Sequence, residues 1–106
     1  MNLEIQRGRP WGKGWRWTNR ETIQAIAVGL FLAVHENPDG YQLWRITHVQ
    51  TGLFIGDYPT KAVALRTAKK LATFDVWDLP DFTAAKRQAK RGYPPEVLAV
   101  LRKEQV

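Results

Sequence analysis

At 106 residues, 44% hydrophobic and 11% aromatic, the chain is long enough to bury a core, and wholesale disorder is excluded. It contains no cysteine and no serine, which excludes disulfides, thiolate metal sites and the two commonest catalytic nucleophiles. The net charge of +6 points to an anionic partner such as nucleic acid.

That charge sits at the two ends. Residues 1–20 carry five basic residues and one acidic, residues 21–59 one basic and four acidic, and residues 60–106 ten basic and five acidic. Along the chain, Leu3, Ile5 and Arg7 share one parity and predict a short edge strand. The segment Arg7–Arg20, RGRPWGKGWRWTNR, follows with five cations, no acid, three tryptophans and three glycines in fourteen residues. It lacks periodicity and reads as a Gly-rich loop, with a basic arm over about 7–17. Arg7, Arg9, Lys13 and Arg16 are candidate phosphate contacts, and Trp11, Trp15 and Trp17 offer faces for bases or cations. In the competing reading these tryptophans cover one end of the core and the cations are solvated neighbours.

Thr18-Asn19-Arg20-Glu21 reads as a capping box. It predicts a helix over about 19–28 ended by Gly29, then a strand from Leu30. The alternative is one long buried strand from Ile23 to His35. The apolar run Ala25–Val34 spans ten residues, too few to cross a bilayer, and no small-x-small cleavage pattern follows at Val34–His35–Glu36. The run is therefore expected to be core, and the protein soluble and cytoplasmic.

Asn37-Pro38-Asp39-Gly40 marks a turn and Thr51-Gly52 a second. They predict a three-stranded antiparallel meander over about 30–36, 41–49 and 53–58. Thr60 is a candidate N-cap for a helix over about 60–73, whose Ala64, Leu65, Ala68, Leu71 and Ala72 share one face. That face is expected to lie on Trp44 and Ile46 of the sheet, leaving Arg66, Lys69 and Lys70 as an exposed row. Asp75–Pro80 reads as a packed connector. Asp81 then starts a helix to about Arg91, stopped by Gly92, and Pro94-Pro95 opens a last helix through about Lys103. The expected architecture is α+β: the meander covered by one helix, with a short helix before it and two after it. The chain reads as a single small basic domain over 1–106.

Little catalytic chemistry is available. His35 and His48 are expected on the order of 20 Å apart along the meander, too far to share a metal. A diagonal His48–Asp57 pair is conceivable but has no nucleophile beside it. Asp75, Asp78 and Asp81 read as caps and solvated connector residues, and Gly12-Lys13-Gly14 falls short of a phosphate-binding loop. No cofactor, no metal and no enzymatic activity are expected. The last basic feature is Lys86, Arg87, Lys90 and Arg91, four cations in six residues on a predicted helix.

The passage YQLWRITHVQTGLFIGDYPTKAVALRTAKKLA resembles in outline the three-strand-plus-helix domains at the N-termini of phage-type integrases, which dock a sheet into DNA. Here that sheet carries only Arg45. With a first helix, the order α-β-β-β-α is similar to double-stranded-RNA-binding domains, which place several lysines where this chain has Lys61. Neither resemblance carries functional residues onto this sequence. The expected function is a non-enzymatic accessory protein that contacts DNA or RNA through its basic flanks. The alternative is a module that binds an acidic protein or self-associates, with the tryptophans and the Val97, Leu98 and Leu101 stripe as anchors.

Overall fold

The structure, a computed structural model, describes the backbone of residues 1–11, 14–38, 42–79 and 82–105; among these, the side chains of residues 6–20, 82, 83, 85, 86 and 89 lie outside what it describes. It is an α+β fold built from antiparallel sheets. Strands β1 (Asn2–Trp11) and β2 (Gly14–Gln24) form a sheet of their own. Strands β3 (Ile26–Val28), β4 (Leu32–Glu36), β5 (Trp44–His48) and β6 (Phe54–Tyr58) form a second sheet in sequence order. Helix α1 (Lys61–Leu71), a 3-10 turn (Asp75–Trp77), α2 (Phe82–Arg91) and α3 (Pro95–Arg102) follow.

The N-terminal quarter departs from expectation. No helix forms over 19–28; residues 19–24 belong to β2 and 26–28 to β3, and the described part of the expected arm, residues 7–11 and 14–17, is paired strand, not loop. The register sets Leu3 opposite Ile23 and Ile5 opposite Glu21. A Thr capping box contributes about 1 kcal/mol to a helix. Strand pairing instead buries Leu3 and Ile5 together with Ala25 and Ala33. Burying one such aliphatic side chain is worth about 1.5–3 kcal/mol, and the β-branched Thr22, Ile23, Ile26 and Val28 favour extended backbone. The single long strand from Ile23 to His35 is not observed either. Gly29 adopts φ +65°, which reverses the chain and adds β3 to the meander as a fourth strand.

The meander strands and the α1 helix lie close to their expected limits. At the turn expected at 37–40, Asp39 and Gly40 lie outside the described residues, but Asn37 N–H donates to the Leu43 carbonyl at 2.8 Å and draws the flanking chain together. Thr60 caps α1, its hydroxyl accepting from Val63 N–H at 3.2 Å. The Asp81 cap expected for α2 lies outside the described residues. Gly92, at φ +84°, terminates that helix while donating to the Gln88 carbonyl at 3.0 Å.

The sheet is covered on both faces. Val28, Leu32, Val34, Ile46 and Tyr58 pack with Ala64, Ala68 and Leu71 of α1, Trp77, and Val97 and Leu101 of α3. Ala33, from the opposite parity of β4, packs with Leu3, Ile5 and Ala25 at the base of the β1–β2 hairpin. Leu32 to His35 are therefore all buried, which is why the apolar run there shows no alternation. Tyr58 O–H donates to the Leu101 carbonyl at 2.7 Å and ties α3 to the sheet. Beside it, Gly56 lies close under the Tyr58 ring: an added Cβ would stand 3.2 Å from the Tyr58 oxygen and 2.8 Å from the movable Gln105 amide. Among the described residues, no helix is long and apolar enough to cross a membrane.

Candidate nucleic-acid interface

Strand pairing changes what the basic arm is. Arg7 and Arg9 lie on β1, and Arg16 and Arg20 on β2, in one two-stranded antiparallel ribbon. The register places Arg9 opposite Arg16, Trp17 opposite Gly8, Trp15 opposite Pro10, and Trp11 opposite Gly14. A register shift between Arg7 and Gly8 interrupts the ladder at the inner edge of this zone. Cationic and aromatic positions are thus concentrated in the half of the ribbon away from its apolar base. The register sets two cationic positions directly opposite each other. Lys13 lies outside the described residues.

The second predicted cluster is on α2. Arg87, Lys90 and Arg91 are exposed, and their spacing puts Lys90 and Arg91 one turn from Arg87. The side chain of Lys86 is outside the described set. Trp77 and Tyr93 bracket α2, their ring centroids 5.3 Å apart. Both rings belong with the core on the helical face of the sheet, whereas the ribbon's base belongs with the other face. No described contact joins the two basic flanks.

The polar groups of the meander, His35, His48, Arg45 and Asp57, are engaged structurally. His35 pairs with Arg45 and His48 with Leu32, three residue pairs apart, or roughly 10 Å along the strands. This is half the expected separation, but the side chains lie on opposite faces of the sheet. His35 Nδ1–H donates to the Glu36 carbonyl at 2.7 Å, and its Nε2 accepts from the Thr47 hydroxyl at 2.7 Å. His48 Nε2–H donates to the Trp77 carbonyl at 2.6 Å, and its Nδ1 accepts from the Thr51 hydroxyl at 2.8 Å. Burial pushes both imidazoles below their ordinary pKa, with the bonds to Glu36 and Trp77 opposing that shift. The conceivable His48–Asp57 pair does not form, because the two residues fall on opposite faces. Asp57 instead receives Arg45 Nε at 2.7 Å and Nη2 at 3.1 Å, while the Arg45 guanidinium lies 4.5 Å from the centre of the Phe54 ring. The one cation of the meander strands is therefore held by a carboxylate in its own sheet.

Two further features bear on the partner. A cleft of about 630 Å³ at the β3–β4 edge is lined by Glu21, Gln24, His35, Glu36 and Trp44 among others; its charged lining is acidic and unsuited to phosphate. The apolar stripe on α3 is turned inward: Val97 is fully buried and Leu101 nearly so, and Leu98 packs against the same core. That stripe is core, not an exposed anchor for a protein partner. Sequence reasoning found the row Arg66, Lys69 and Lys70 on α1 but missed that Arg66 and Lys70 share a cleft with Lys103 at the end of α3. Lys103 stands 33 or more positions from the other two, and only the helix packing brings it to them. No protein-family model matches the chain, and no curated protein or solved structure shows significant similarity to it.

Proposed function

We propose that the protein is a non-enzymatic accessory protein that contacts nucleic acid through its basic flanks, with the β1–β2 ribbon as the principal element. The observation that carries this reading is the pairing of β1 with β2, residues 7–11 against 14–19, into a two-stranded ribbon with Arg9 opposite Arg16. A B-DNA major groove about 12 Å wide admits such a ribbon, and cations on both of its strands reach phosphates on both groove walls. Trp11, Trp15 and Trp17 supply faces on which unpaired bases stack. Arg87, Lys90 and Arg91 of α2, with Lys86 beside them in sequence, add phosphate contacts. The non-enzymatic part of the reading is supported by two histidines whose ring nitrogens are all hydrogen-bonded and by the Arg45–Asp57 pair closed on itself.

Fluorescence anisotropy with single- and double-stranded DNA and RNA at low salt tests this directly. Binding that weakens steeply with salt is expected, and a protein that binds none of the four probes overturns the proposal. Joint neutralisation of Arg7, Arg9, Lys13 and Arg16 should abolish most of the affinity; unchanged affinity removes the ribbon's role.

A further inference from the structure

The packing of α1 on α3 creates a cleft of about 230 Å³ lined by Arg66, Thr67, Lys70, Val100, Lys103 and Glu104, with Ala99 beside them. Arg66 and Lys70 are one helical turn apart and share a face of α1. Lys103 is the residue that closes α3. Three cations and one carboxylate thus line the same cleft. Both Glu104 oxygens accept from a single guanidinium nitrogen, Arg66 Nη2, at 2.8 and 2.7 Å. This is not the two-nitrogen fork in which arginine grips an oxyanion most strongly. The pair is open to solvent, Arg66 being 52% and Glu104 37% exposed, and exposed ion pairs exchange readily. The Arg66 hydrogen bond, followed by the charges of Arg66, Lys103 and Lys70, holds the Glu104 carboxyl below its ordinary range. All three cations therefore act on the point in space where that carboxylate sits. Lys69 and Lys70 in the last turn of α1 and Arg102 in the last turn of α3 also complement the helix dipoles. Arg66, in mid-helix, has no such reason to be there.

We infer that the cleft between α1 and α3 is a phosphate-binding site formed by Arg66, Lys70 and Lys103, in which the Glu104 carboxylate occupies the phosphate's place in the free protein. The ligand chemistry is a phosphate oxyanion, and the source argued here is the nucleic-acid backbone, which rests on the function proposed above. Glu104 is then an internal competitor that backbone phosphate displaces. Binding exchanges one carboxylate for one phosphate on the same three cations, and Arg66 gains access to its two-nitrogen geometry.

The test follows the Arg66 Nε–H resonance by NMR, with anisotropy in parallel, during titration with a ten-nucleotide oligothymidylate, a short DNA duplex, and inorganic phosphate alone. E104Q should tighten oligonucleotide binding by about 3–10-fold. K70Q/K103Q should weaken it by a similar factor and lower the salt slope by about 1–2. The E96Q variant makes the same charge change at an exposed position on α3 and should have a smaller effect. Equal tightening by E96Q and E104Q, or an Arg66 resonance that no probe moves, overturns the site. A response to inorganic phosphate without a response to either oligonucleotide overturns the nucleic-acid source. Failure of the site alone is recognised when neutralising the ribbon cations abolishes binding while E104Q and K70Q/K103Q change nothing. Failure of the ribbon alone gives the reverse pattern.

Discussion

The two buried histidines show how single residues set the stability of this sheet. Each is neutral in the fold, with both ring nitrogens hydrogen-bonded, and burial lowers both pKa values from 6.5. The unfolded chain therefore binds more protons than the folded one once the pH drops below about 6.5. Stability is at its full value above that pH and declines as pH falls toward the depressed folded values. Urea midpoints measured from pH 7.5 down to 5 should fall accordingly, and H35Q should flatten part of that fall. A pH-independent midpoint would contradict the neutral, desolvated state of these rings. Tyr58 is the third such residue. Burial, and secondarily the Asp57 charge, push its phenol up to about 12, so it is a hydrogen-bond donor to Leu101 at every physiological pH. Y58F leaves a buried carbonyl without its donor and should cost about 1–2 kcal/mol, read as a lower urea midpoint at unchanged m-value.

At the scale of elements, the β1–β2 ribbon and α1 owe their formation to different forces. Helix α1 is specified locally: Thr60 caps it, Ala64, Ala68 and Leu71 form its buried face, and Lys69 and Lys70 suit its C-terminal end. T60A should cost about 1 kcal/mol by urea titration. The ribbon is specified by distant partners, since Leu3 and Ile5 become apolar core only when Ala25 and Ala33 meet them. L3A should therefore loosen the ribbon's base before it weakens the helical face of the sheet. Hydrogen exchange should show protection lost selectively over 2–5 and 21–25, with α1 largely unaffected. Uniform loss of protection across both would mean that the two cores unfold as one unit. This contrast also explains which elements were legible in the sequence. Turn residues and a capped amphipathic helix announce the meander and α1, whereas a capping-box pattern at Thr18–Glu21 conceals a strand whose stabilising contacts lie some twenty residues away.

For the whole molecule, charge placement is the functional variable. The net acidic middle of the chain forms the sheet, and the cationic ends emerge as a ribbon on one side and helices on the other. If the ribbon carries most phosphate contacts, neutralising four cations there should reduce the slope of log affinity against log salt by about 3–4 on duplex DNA. A loss of affinity with an unchanged slope would instead indicate that the ribbon contributes stacking and not charge.

The sequence by itself determined the α+β class, the meander, the α1 helix, the scarcity of nucleophiles and the presence of two cationic flanks. These follow from composition, turn chemistry and periodicity, all of which act over a few residues. The tertiary structure alone decided that residues 7–11 and 14–20 are paired ribbon, that Val97 and Leu101 are core, and that Arg66, Lys70, Lys103 and Glu104 line one cleft. Each of those outcomes depends on burial or charge shared between segments far apart in the chain, and no local pattern encodes which distant partner will arrive.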